Sequence, residues 1–429
     1  VTANAFRSGY MVYGLLGLPL AMAALPVYVH IPAFYALHLN VGLVQLGWVL
    51  FAARLIDTLQ DPFLGLMIDR LGGRLNACLA AAAAVLALAF TALWRPPSDG
   101  NIAVWLGVAL IMVYSAHSFL SISYLAWGAS LDGSAARAKV LLGPAAWREA
   151  AGLFGILLAS AVPAAVISAE PEHVSYRMAW YSAVFAVFIF IAVWALLSGA
   201  PTWHRAAQQE LHWMPALRSA FRNQRFKRLL GPYLLNALSV SLPATLVIFY
   251  IRDQLRAPEL SALFLVAYFA AAVCCLPLWV RIAKRLGTVK AWRIGMILSI
   301  GAFAGAGLLG PGDTLPYLAV CLAAGSALGA DLALPPVLFA QAIGESPGKG
   351  IYFSFYTMLG KLALALTGLA LPLLAAQGYK PGNGPSNLLA AVYAGLPCLL
   401  KLAAMISLGR IREEVSDLPC PVASGMCRK

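Results

Sequence analysis

Residues 53–74 read ARLIDTLQDPFLGLMIDRLGGR, and the two parts of this stretch together decide the fold. The first part closes an apolar run from about 41 to 68, long enough as a helix to cross roughly 30 Å of hydrocarbon at about 1.5 Å per residue. Yet it carries Arg54, Asp57 and Asp61, and a charge at membrane depth costs about 2.5 to 3.5 kcal/mol even on a lenient insertion scale. At about 100° per residue, positions 54, 57, 61 and 65 fall within a sector of roughly 80°, so the arginine, both carboxylates and Gly65 share one face. That face must look into protein. The second part, Gly65 followed by Asp69, Arg70, Leu71, Gly72, Gly73 and Arg74, is a basic turn. Its glycines let two helices reverse tightly, and its Asp and Arg side chains can pair with neighbouring helix ends at a membrane surface.

The rest of the chain agrees with a membrane setting. Of 429 residues 61% are hydrophobic and 11% charged, with a mean hydropathy of +0.80, more apolar than a water-soluble core can absorb. Apolar stretches predict twelve helical spans near 10–34, 41–68, 75–94, 101–131, 141–169, 178–199, 229–252, 258–283, 289–310, 314–343, 351–376 and 386–408. The expectation is an all-α membrane protein of twelve transmembrane helices. The first stretch runs on into Tyr28, His30 and Tyr35 without a small-residue cleavage site and reads as a retained helix. A formal charge of +13 would suggest nucleic acid in a soluble chain, but here the placement of charge matters more. With both termini inside, Arg70, Arg74, Arg137, Lys139, Arg205, the cluster Arg218 to Arg228, Lys284, Arg285, Lys290, Lys349, Arg410 and Arg412 fall on the cytoplasmic side. The opposite loops hold Arg95, Arg177, Arg252, Arg256 and Lys380, as the positive-inside rule asks. This predicts a bacterial inner-membrane protein with both termini cytoplasmic. The seven cysteines show no zinc-ligand spacing.

The longest polar interval lies near the middle of the chain and separates six spans from six. The predicted organisation is a six-helix bundle over 1–199, a cytoplasmic linker over 200–228, a second bundle over 229–408 and a cytoplasmic tail over 409–429. The turn after the second span returns after the eighth as Lys284, Arg285, Leu286, Gly287, Thr288, Val289, Lys290. That echo suggests two repeats related by an axis along the membrane normal, an architecture that places a substrate site between the halves near the midplane. The basic, aromatic interval from Trp203 to Arg228 reads as a linker resting on anionic headgroups. No Gly-rich loop ending in Lys and Ser or Thr supports nucleotide-driven work, and no metal-ligand cluster or nucleophile motif supports an enzyme. The expected partners are a small-molecule substrate and membrane lipids, with no nucleic acid, no cofactor, and the chain acting as a monomer.

The charges carry the candidate chemistry. Asp57 and Asp61, one turn apart, repel by roughly 3 kcal/mol at about 6 Å and an effective dielectric near 20. Relief comes from a shared proton, from Arg54, or from a cation between their oxygens; a buried Arg-Asp pair that only locks packing is the plain alternative. Lys361, flanked by Tyr352, Tyr356, Thr357 and Gly360, is an internal counter-charge or a snorkelling anchor. The fourth span offers Tyr114, Ser115, His117, Ser118, Ser121, Ser123 and Tyr124, a polar set suited to one wall of a cavity. Tyr28 and His30 stand beside Pro26 and Pro32, where prolines break helical regularity next to a site. His30 and His117 read as substrate donors, proton carriers or buried polar groups with partners. Asp331 is a further intramembrane acid without an evident partner, and Glu149 beside Arg148 suggests a local ion pair.

The basic loop from Gly65 to Arg74, its echo and the twelve spans resemble the major facilitator superfamily, which implies two halves that rock between inward-open and outward-open states, with Gly65, Asp69, Arg70 and Arg74 as a gating loop. Within it, Ala53, Arg54, Asp57, Asp61, Pro62 and Gly65 resemble the second helix of the glycoside-pentoside-hexuronide:cation symporter family. That resemblance implies a sodium, lithium or proton site at Asp57 and Asp61, with Gln60 where the family pattern has an asparagine. Lys361 after Thr357 and Met358 resembles the family lysine that neighbours both cation and sugar, so Arg54 and Lys361 form the implied charge network. Tyr124, Leu131, Asp132, Arg137 and Arg148 resemble the segment whose arginine contacts substrate. Tyr28, His30, His117, Tyr124, Arg148 and Tyr356 are the candidate substrate-binding set. Ala21 and Phe119 stand where sugar-binding acids would, which argues against a melibiose-like galactoside held in the same way. The expected function is sodium- or proton-coupled symport of a small solute, a sugar or glycoside. The alternatives are transport of a lysolipid or other amphipathic solute, and a membrane receptor or assembly protein of the same fold that does not transport.

Overall fold

A computed structural model describes residues 3–31, 34–35, 39, 41–97, 101–130, 138–167, 174–200, 213–344, 346, 348–380 and 384–409. The described residues form helices joined by turns and short loops, without a strand. In chain order the helices are α1 (Ala3–Gly14), α2 (Gly17–Leu25), α3 (Leu43–Arg70), α4 (Leu75–Leu93), α5 (Ile102–Gly128), α6 (Ala138–Ile167), α7 (Val174–Gly199) and α8 (Trp213–Arg222). The second series is α9 (Gln224–Phe249), α10 (Ser261–Leu286), α11 (Thr288–Ala306), α12 (Thr314–Ile343), α13 (Lys349–Thr367), α14 (Ala370–Ala376), α15 (Asn387–Ala390) and α16 (Leu396–Gly409).

Among the described residues, nine helices are long and apolar enough to cross a membrane. The other three predicted spans are also helical. The second, α3, carries five charged residues, Arg54, Asp57, Asp61, Asp69 and Arg70, within 28 residues. The first and eleventh are interrupted, and proline supplies the reason in both. Pro19 and Pro372 each lack the N–H that would bond four residues back, to Leu15 and Gly368, which lie in the breaks between α1 and α2 and between α13 and α14. Farther along, Pro26 leaves the Met22 carbonyl without its helical donor and opens a wider turn over Pro26–His30; the Tyr181 hydroxyl donates to that carbonyl at 3.0 Å. A membrane helix tolerates such breaks where a neighbour re-satisfies the backbone.

Large apolar side chains such as Trp48, Leu88, Trp194, Leu315 and Leu399 stand outward on these helices, each more than half exposed. An apolar belt of that extent suits lipid and not water. Inside, α2 packs on α6 and α3 on α5, and in the second half α10 and α11 pack on α12. The halves meet where α13 lies along α3 and where α6 lies against α10 and α12.

Those meetings reach the end of the molecule that carries the 69–74 turn. The Asp69 carboxylate accepts from the backbone N–H groups of Gly350 (2.8 Å) and Ile351 (2.9 Å), capping the first turn of α13 from the other half, where N–H groups have no helical partner. Lys349 donates to the Ala129 carbonyl at 3.0 Å. Above them Gly65 and Gly350 let the helices touch: a Cβ at Gly65 would stand 2.6 Å from the Gly350 carbonyl and a Cβ at Gly350 2.5 Å from the Gly65 carbonyl. A cavity of about 20 Å³ lined by Tyr13, Arg148, Pro336, Val337, Ala340 and Phe353 lies just inward, with room for little more than one water. Gly65→Val should therefore prevent this end from closing. Alkylation of a cysteine placed at Ala340 would rise severalfold, and an unchanged rate would show that the contact does not seal the end.

Candidate functional site

The α3 face predicted from helical spacing does point inward. Asp57 and Asp61 are 4% and 0% exposed, Gly65 is buried, and Arg54 and Gln60 are half-buried. The sequence leaves Arg54 and Lys361 open as the counter-charge to the two carboxylates, and the structure chooses Lys361. Its ammonium lies 2.6 Å from Asp57 Oδ1 and 2.7 Å from Asp61 Oδ1. It also donates to Ser118 Oγ at 2.6 Å and to the Asp57 carbonyl at 3.1 Å. Four oxygens thus converge on a centre of unit positive charge. Arg54 instead lies against Tyr114 of α5.

A chain of polar bonds fixes this cage. Ser118 donates to Asp57 Oδ1 at 2.9 Å, Gln60 Nε2 donates to the same oxygen at 3.2 Å, and Ser115 donates to Gln60 Oε1 at 2.7 Å. Charge-assisted bonds of this kind are the strong ones, and the dry surroundings strengthen them further. The other Asp61 oxygen, Oδ2, is buried without a hydrogen-bond partner. The Lys361 side chain keeps 19% exposure while those of Asp57 and Asp61 keep 5% and 0%. The oxygens come from α3 and α5 of the first half and the ammonium from α13 of the second, so the cage closes only when the halves meet.

A second cluster lies between this cage and the sealed end. Arg148 on α6 gives both Nε (2.9 Å) and Nη2 (2.6 Å) to Glu149 Oε1, confirming the predicted local ion pair. Tyr13, Tyr124 and Tyr356 surround the guanidinium. Tyr13 and Tyr124 exchange bonds, each hydroxyl donating to the other's backbone carbonyl at 2.8 and 2.7 Å, and Tyr233 stacks on Tyr356 with centroids 4.4 Å apart. Of the candidate substrate residues, Tyr124, Arg148 and Tyr356 are therefore brought together. His117 lies beside the cage, its Nε2 3.1 Å from the Leu20 carbonyl. His30 is half-buried in the Pro26–His30 turn, its Nδ1 buried without a partner, and joins neither cluster among the described residues. The side chain of Tyr28, and all of Leu131, Asp132 and Arg137, lie outside the described residues. In the basic turn Arg70 and Arg74 are exposed, and Asp69 makes the contact across the halves.

Several residues escaped the sequence reading. Tyr13 and Tyr233 sit in apolar spans where no neighbouring charge in the sequence marks them. Asp331 does have a partner: Lys401 of α16, 2.5 Å away, with Trp292 Nε1 donating to the other carboxylate oxygen at 3.0 Å. Charge alone in apolar span 12 could have flagged Lys401, since an intramembrane lysine implies an acid nearby.

The comparisons with known proteins agree with this architecture. A symporter of Synechocystis, itself uncharacterized, is 25% identical over 165 residues, which span 37% of this chain and 30% of that protein. In three dimensions the chain is similar to the E. coli fucose:proton symporter, with a TM-score of 0.69 at 12% identity over 95% of this chain and 97% of that one. It is equally similar to a bacterial homologue of the iron transporter ferroportin in an outward-facing state, with a TM-score of 0.71 at 16% identity over 94% and 98% of the two chains. Identities this low show a shared fold. The sequence model of the family described as "MFS/sugar transport protein" matches residues 10–412, and the chain belongs to that transporter family of the major facilitator superfamily.

Proposed function

We propose that this multi-pass transporter carries a small polar solute, a sugar or glycoside, by symport with sodium or protons through alternating access. The observation that carries the reading is the Lys361 ammonium held among Asp57, Asp61 and Ser118 oxygens. Oxygen cages suit hard cations, and here the resident cation is tethered to the opposite half. A mobile ion entering between the carboxylates displaces Lys361 and so loosens α13 from α3, which couples ion occupancy to the arrangement of the halves. Gln60 and Ser118 are the neutral ligands of the ion, and Arg54 supports the network through Tyr114. Tyr124, Arg148 and Tyr356, joined by Tyr13 and Tyr233, offer a charged donor among aromatic rings, a combination suited to a ring-shaped polyhydroxyl solute; His117 stands beside the cage.

The chain sits in a bacterial inner membrane with both termini cytoplasmic, because lysine and arginine crowd the end bearing the 69–74 turn. That end is sealed, so the described state is outward-facing. Both halves lie in one chain, and a monomer suffices.

A second reading, transport of a lysolipid or similar amphipath, draws on an apolar pocket of about 290 Å³ lined by Leu238, Leu242, Leu366, Leu373, Val392 and Leu396. Purified protein in liposomes should accumulate solute when a sodium or proton gradient is imposed. Asp57→Asn and Asp61→Asn should each abolish that dependence while leaving the protein folded. Thermal-shift screening of sugars against lysolipids separates the two readings, and coupled uptake surviving in both variants would overturn the ion site.

A further inference from the structure

The short helix α8 has a stronger division between apolar and polar faces than a linker needs. Positions 213, 214, 217 and 221, occupied by Trp, Met, Leu and Phe, form one stripe at helical spacing, with Arg218 and Arg222 together on its flank. Arg218, Arg222, Arg225, Lys227 and Arg228 are all exposed, and no acidic residue occurs from 211 to 252. A helix of this pattern at the entry to a membrane span lies in the interface, with its basic flank toward headgroups.

Its attachments make this position consequential. The ring of Phe221, itself 43% exposed, packs edge-on against Phe355 of α13 with centroids 5.1 Å apart. Directly after α8, Asn223 donates through Nδ2 to the Ala342 carbonyl at the end of α12 at 3.0 Å, while its Oδ1 caps α9 by accepting from the Phe226 N–H at 3.1 Å. The α8 segment is thereby tied to both second-half helices that form the seal, α12 through Ala342 and α13 through Phe355.

We propose that residues 213–228 are a docking site for anionic phospholipid headgroups, and that docking there braces the sealed end of the transporter. The occupant follows from charge complementarity: two exposed arginines on the flank of α8, which carries the apolar stripe, and three more exposed cations at the start of α9 match a negative leaflet, and attraction of this kind falls away within a Debye length. Bound lipid restrains α8, and through Phe221 and Asn223 restrains α13 and α12 against the first half. The anionic lipid content of the bilayer then biases the transporter toward the state closed at this end.

Two measurements on the full chain test this. Spin-labelled phosphatidylglycerol should associate with the reconstituted protein at least about threefold more than spin-labelled phosphatidylcholine, and Arg218→Gln/Arg222→Gln/Arg225→Gln should remove most of that preference. In a background with the native cysteines replaced, a cysteine at Ala340 reports opening of the seal. Its alkylation in phosphatidylethanolamine vesicles should slow severalfold when about 30% phosphatidylglycerol is included, and Phe355→Ala, which removes the other ring of the contact from outside the docking site, should abolish the slowing while leaving lipid preference intact. Equal association of the two labelled lipids, or a preference unchanged in the triple variant, overturns the docking site. Alkylation indifferent to phosphatidylglycerol overturns the coupling to the seal.

Discussion

Lys361→Ala is expected to lower the stability of the protein by about 3–5 kcal/mol, the usual penalty for removing one partner of a buried ion pair. Asp57 and Asp61 would be left facing each other almost without solvent, and Gln60 and Ser118 supply hydrogen bonds but no charge. The loss should be reversed by whatever positive ion fits the four-oxygen cage. Thermal unfolding of the variant in detergent, measured against sodium concentration and against pH, therefore identifies the coupling ion: the additive that restores the parent melting temperature is the one that replaces the ammonium. A variant as stable as its parent and indifferent to both additives would mean the carboxylates need no cation, and the coupling mechanism would fail with it. The same experiment on Arg54→Ala should show a much smaller drop, because Arg54 lies against Tyr114 and not between the carboxylates.

The second large effect belongs to Lys401 and Asp331, a pair exposed only 2% and 7% and set among α11, α12 and α16 of the second half. Neutralising one partner alone, as Lys401→Met or Asp331→Asn, should cost about 3–5 kcal/mol because the other charge stays buried. Neutralising both should recover most of that loss, since two neutral groups of similar volume carry no desolvation penalty, and the interaction energy from the double-mutant cycle should exceed about 2 kcal/mol. Unfolding of the four proteins in detergent decides it. Additive losses would show that the two residues do not act as a pair. Gradient-driven uptake by the double variant should persist, which separates this structural pair from the cage around Lys361.

Much of the architecture was legible because apolar length is a local property. Twelve stretches of hydrophobic residues predict twelve spans, and the helical period alone puts Asp57, Asp61 and Gly65 on one inward face of α3. The echo of the basic turn likewise marks two halves in one chain. Other features needed contacts that no local rule supplies. Arg54, seven residues or fewer from both carboxylates, looked as good a counter-charge as Lys361, which is 300 residues from Asp61. The breaks at Leu15 and Gly368 were latent in Pro19 and Pro372, but a proline four residues on interrupts some helices and not others: α3 continues through Pro62.

From the sequence alone it follows that this chain crosses a membrane repeatedly and which helix face carries charge it must hide, because hydropathy and helical periodicity act over a few turns and need no partner. Which charge answers which across distant helices came from the packing alone: Lys361 for Asp57 and Asp61, Lys401 for Asp331, and Asp69 for the first turn of α13. The reason is electrostatic. In a dry interior a charge is tolerated only within hydrogen-bond distance of its complement, and that distance is set by how distant helices pack.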